Sequence, residues 1–89
     1  MSLSELVGIP TMNTIDDAVA RATDILSAAG IQQARVDAEL LVGHVLGLSR
    51  GGVQAKAVMG TGLSSTDAVA VAGLVERRAA RERRLHSRS

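Results

Sequence analysis

One stretch constrains this chain more than any other. Ala34 to Leu48 reads A-R-V-D-A-E-L-L-V-G-H-V-L-G-L. Val36, Ala38, Leu40, Leu41, Val42, Val45, Leu46 and Leu48 fall on almost every side of a helical wheel. A helix that is apolar nearly all round belongs in an interior, because any face turned to water would expose hydrocarbon. It is too short to span a bilayer, where about 20 residues are needed, and Arg35, Asp37, Glu39 and His44 interrupt it. The expectation is an all-α fold: a small bundle of four to five helices around this buried central helix.

The flanking segments carry the amphipathic patterns that such a centre needs. From Thr14 to Ala29, Ile15, Ala18, Val19, Ala22, Ile25, Leu26 and Ala29 follow the i, i+3, i+4, i+7 rule. Thr14 can cap that helix, Asp16 and Asp17 complement its dipole, and Gly30 suits its C-terminal stop. Asp17 and Arg21 have the spacing of an i,i+4 ion pair. Arg50-Gly51-Gly52 reads as a hinge. Val53 to Met59 reads as a short third helix with Val53, Ala57 and Val58 turned inward. Ser64 opens the last helix, with Asp67 three residues on. Ala68, Val71, Ala72, Val75 and Ala79 form its stripe and Leu74 its flank, and it runs to Arg81 or beyond. The expected division is an irregular segment or short docking turn over 1–13, native or vector-derived, the bundle over 14–84, and a tail or linker over 85–89.

Composition narrows the class further. The 89 residues include no Phe, Tyr or Trp, so the core must be built from Leu, Val, Ile, Met and Ala. A domain of this size buries roughly 60–70% of its unfolded surface, which predicts modest stability, helped by a partner or by self-association. There is no Cys, so no disulfide framework and no thiolate metal site exist. The N-terminus lacks a basic region followed by a continuous apolar run, which predicts a cytoplasmic protein without a signal peptide or membrane anchor.

The residues offer little chemistry. His44 and Asp37 lie seven apart on one helical face, but His86 is the only other histidine, and a metal or acid–base site needs more groups nearby. Asp16, Asp17 and Glu39 read as ordinary helix-face acids. Gly60-Thr61-Gly62 resembles half of a phosphate-binding loop, but no strand pattern precedes it, so a loop between helices is the better reading. Charge is unevenly placed. Residues 62–89 hold six Arg against three acids, and all six lie between Arg77 and Arg88. Arg77, Arg78, Arg81 and Arg84 can line neighbouring faces of one helix, which makes them the candidate partner-binding residues. With no aromatic to stack a base, a solvated face or a protein contact is favoured over nucleic acid.

The order of these pieces carries a resemblance. Ala28-Ala29-Gly30-Ile31, then Ala34-Arg35-Val36-Asp37-Ala38-Glu39-Leu40-Leu41, then His44-Val45-Leu46-Gly47-Leu48 and Arg50 resemble the start of the HemK-type release-factor glutamine methyltransferases. Their small N-terminal helical domain reads roughly "AGI…AR-DAELLL-HVLGL-R". Leu63-Ser64 and Val75-Glu76-Arg77-Arg78-Ala79-Ala80-Arg81-Glu82 resemble that domain's last helix, so the resemblance spans roughly residues 14 to 86. It implies a domain that positions a class-I peptide-chain release factor for a separate methyltransferase domain. It also implies S-adenosylmethionine as that other domain's cofactor. The cofactor loop and the Asn-Pro-Pro-Tyr motif of the catalytic domain are not in this sequence. Arg83-Arg84-Leu85-His86 stand where the family has a Pro-Leu-Gln-(His/Tyr) linker, and only His86 fits. The expectation is a non-catalytic domain with no cofactor or metal site of its own, and a downstream reading frame that encodes the missing domain. The alternative is a free-standing nucleic-acid-binding or self-associating module using the Arg-rich end.

Overall fold

The structure is a computed structural model that describes residues 13–87, with side chains described over 13–82. Four helices follow one another: α1 Ile15–Ala28, α2 Ala34–Leu46, α3 Arg50–Val58 and α4 Ser65–Ser87. Among the described residues the only β pairing is an isolated bridge between Thr14 and Gly62. The all-α expectation therefore holds. The expected N-terminal turn falls on residues 1–12, outside the described residues, as do the side chains of the 85–89 tail.

Three of the four helices start where a side chain satisfies an orphan N–H, and α2, which follows Gln33, starts without one. Thr14 Oγ1 accepts from Asp17 N at 3.1 Å, and Ser64 Oγ accepts from Asp67 N at 3.1 Å. Ser49 Oγ accepts from Gly52 N at 3.1 Å. That third cap corrects the hinge reading of Arg50-Gly51-Gly52. With Ser49 closing the first turn, both glycines become the opening residues of α3, and neither takes a positive φ. The ends are equally specific. Gly30 has φ 93° and Gly47 φ 71°. In each case the next residue donates back across the stop: Ile31 N to Leu26 O at 3.1 Å, and Leu48 N to Gly43 O at 2.9 Å. This is the six-to-one closure of a Schellman motif, and its left-handed residue is normally glycine.

The core is small-residue and aliphatic. Ile15, Ala18, Val19, Ala22, Leu26 and Ala29 come from the first helix and its cap. Ala34, Ala38 and Val42 come from α2, Val53 from α3, and Val71, Val75 and Ala79 from α4. The i, i+3, i+4 stripes of α1 and α4 thus fold inward as read. Both α1 and α2 pack against every other helix, whereas α3 and α4 do not touch each other. A loop anchor adds to this packing. Ile15 N donates to Thr61 O and Leu63 N donates to Asn13 O, both at 2.9 Å, pinning the α3–α4 loop to the start of α1.

Three details depart from the pattern. Leu40 is 53% exposed and Leu41 only partly buried, so α2 is not buried all round. Its buried side is made instead by Ala34, Ala38, Glu39, Val42 and Gly43. Small residues there let neighbouring backbones come close. A Cβ on Gly43 would stand 2.5 Å from Leu48 O and 3.2 Å from a Val53 methyl. On α3, Val53 is buried and Ala57 partly so, but Val58 is 89% exposed. It follows Ala57 by one residue, about 100° round the helix, which carries it off the packed face.

Candidate functional site

Polar chemistry concentrates at two places on α2. The first is Glu39, which the apolar periodicity of α2 carries into the interior together with Ala38 and Val42. Its side chain is 2% exposed. A buried carboxylate is costly unless its oxygens are satisfied, and these are. Oε1 accepts from Arg50 Nε at 2.7 Å and from Gln54 Nε2 at 3.0 Å, while Oε2 accepts from Arg35 Nε at 3.3 Å. Arg35 lies one turn back on α2, and Arg50 and Gln54 lie one turn apart on α3, so this carboxylate ties the two helices together. Burial pushes the Glu39 carboxyl up, but the hydrogen bonds from Arg50 and Gln54 and the charges of Arg50 and Arg35 outweigh it. The net shift is below the usual glutamate range.

Glu39 is therefore not the ordinary helix-face acid read from the sequence. The signal for it lay in Arg35 at i−4 and in an acid set inside a nearly continuous apolar run.

The second place is the ion pair from Arg78 Nη2 on α4 to Asp37 Oδ2 on α2, at 3.1 Å, with side chains 41% and 24% exposed. Beside it an open cleft of about 430 Å³ runs from the α1–α2 loop, Gly30 to Gln33, to Arg78 and Glu82. The candidate arginines therefore divide. Arg78 is engaged with Asp37. Arg77 Nε donates to Gly73 O one turn back at 3.3 Å, and a hydrogen bond of that kind leaves its charge outward. Arg81 is exposed. The side chain of Arg84 lies outside the described residues. Asp17 and Arg21 form no ion pair, since Asp17 stays exposed at the Thr14 cap. Asp37 faces Arg78 rather than His44, which is exposed.

The Gly60-Thr61-Gly62 loop is equally committed. Gly60 N donates to Ala57 O and Thr61 N to Lys56 O, both at 3.1 Å. Those N–H groups close the end of α3 instead of facing a phosphate. Among the described residues no three His, Asp or Glu side chains gather within reach of one metal ion. None of the described helices is long and apolar enough to cross a membrane.

Four helices among the described residues, a small aliphatic core and polar groups spent on joining helices define a class, that of the compact all-α domain. More particularly, the chain belongs to the PrmC N-terminal domain family, whose model matches residues 17–82, most of its length. No curated protein and no solved structure matches it. Membership implies a parent protein that uses S-adenosylmethionine and has a release factor as its substrate. The residues described here do not fit that cofactor. The strand, glycine-rich loop and helix that cradle such a ligand are not among them, and the one loop resembling such a cradle has its amides turned back onto α3.

Proposed function

We propose that this domain is the non-catalytic recognition part of a protein-(glutamine-N5) methyltransferase acting on class-I peptide-chain release factors in the cytoplasm. Methyl transfer belongs to a separate S-adenosylmethionine-binding domain, and the bundle over 14–84 supplies contacts that position the substrate. The family match over residues 17–82 carries this reading. The geometry agrees with it. Glu39, the one buried acid among the described residues, has both oxygens occupied by three donors and a depressed pKa, so it is a poor proton carrier and a good structural anchor. Arg77, Arg78, Arg81 and Arg84 remain the proposed partner-facing residues on α4, with Arg78 held through Asp37.

A nucleic-acid role is weaker, because the Asp37 pair removes Arg78 from any uninterrupted basic stripe. The test is methyl transfer from labelled S-adenosylmethionine to a release factor with the purified chain as the only added protein. No label should appear in the release factor. Measurable turnover would overturn the assignment.

A further inference from the structure

We infer that Arg35 and Arg50, anchored on the buried carboxylate of Glu39, form a preset two-guanidinium site for the carboxylates of an acidic segment on a protein partner. The inference deepens the reading above by placing a recognition contact on the α2–α3 side of the bundle, away from the Arg-rich end of α4.

Stoichiometry comes first. One buried carboxylate is neutralised by one cation, yet Glu39 holds two, so the cluster carries an uncompensated positive charge at the surface. Geometry comes second. Each guanidinium spends its Nε edge on Glu39, and neither has another bonded partner among the described residues. The guanidinium of arginine offers five donors in a planar fork, so the Nη groups remain available. The side chains are 63% and 47% exposed while so held. The third point is entropy. Ordering a free surface arginine on binding costs side-chain entropy, and here the Glu39 bonds have already removed part of that freedom. The free Nη pair of each guanidinium can still offer two N–H groups to the two oxygens of an incoming carboxylate, the bidentate geometry such pairs favour.

A protein is favoured over RNA as the source of the anion. The chain has no aromatic side chain on which a base could stack and a net charge of only +1.

The experiment follows the arginine Nε–H signals of the ¹⁵N-labelled chain during titration with a blocked Glu-Gly repeat peptide. Its Gln-Gly counterpart and a uridine oligoribonucleotide form the other arms. The Glu-Gly peptide should shift the Arg35 and Arg50 signals, and the Gln-Gly peptide should not. Arg35→Gln and Arg50→Gln should each weaken Glu-Gly binding roughly five- to tenfold, while Arg21→Gln on α1 leaves it unchanged. Arg50→Lys keeps the charge without the fork and covers the case in which Arg50→Gln fails to fold.

The inference is overturned if the Glu-Gly peptide moves neither signal or if the oligonucleotide moves them at lower concentration. It is also overturned if the Gln variants lower the melting temperature and leave peptide affinity intact, since the cluster then serves only to join α2 to α3. A parallel titration with a release factor separates the two readings. Peptide binding without release-factor binding would sink the proposed function and keep the site. Release-factor binding that survives both Gln variants would do the opposite.

Discussion

Leu26 is the largest fully buried apolar side chain among the described residues. Leu26→Ala should therefore cost about 2–5 kcal/mol, the usual range for a buried leucine truncation. A central helix buried nearly all round would make Leu41 a core residue as well, but it is only partly buried. Leu41→Ala should cost clearly less than Leu26→Ala in urea unfolding followed by far-UV circular dichroism. The difference has a physical source. Periodicity shows that α2 is apolar, but not which of its sides the neighbours cover, and Ala38 and Val42 won the inner positions because small residues let α1 approach.

Glu39 makes a second residue-scale prediction. Its folded pKa is depressed, so its contribution to stability is fully present above the unfolded value of about 4.3 and is lost as pH falls through the folded value. Glu39→Gln should cost about 1–2 kcal/mol at neutral pH, a figure kept low because both arginine partners are partly exposed to water. Acid unfolding below about pH 4.3 should then be shallower in the variant than in the parent. Parallel acid slopes would remove Glu39 from the account of acid sensitivity.

The elements were legible wherever a cap or a stripe spelled them out. The stripes of α1 and α4, the Thr14 and Ser64 caps and the Gly30 stop all stand where the residues indicated. The α3 start was missed because two adjacent glycines weigh against helix by intrinsic propensity, and the Ser49 cap outweighed them. Glu39 was missed for a related reason, since its partners Arg50 and Gln54 are brought to it by the turn at Gly47 and not by sequence proximity.

The glycines of this region separate the two effects. At Gly51 an added Cβ meets nothing within 4 Å, so Gly51→Ala should stabilise α3 by about 0.4–1 kcal/mol. At Gly43 the added Cβ runs into the Leu48 carbonyl, so Gly43→Ala should cost about 1–3 kcal/mol. Thermal melts of the two variants on opposite sides of the parent are the expected result. Two shifts of the same sign would mean that the α2–α3 corner packs differently.

At the scale of the whole molecule, a bundle with no aromatic residue and a core of Leu, Ile, Val and Ala should have only a handful of kcal/mol to lose. Surface changes should leave that margin alone, and Arg81→Ala, on an exposed position of α4, should stay within about 0.5 kcal/mol of the parent. We propose that such a bundle holds a partner. Isothermal titration of the folded 89-residue chain with a class-I release factor reads that binding out. Saturable binding is expected at salt concentrations near physiological. A chain that keeps its helical circular dichroism spectrum yet shows no binding up to about 1 mM, equivalent to less than about 4 kcal/mol of affinity, would contradict it.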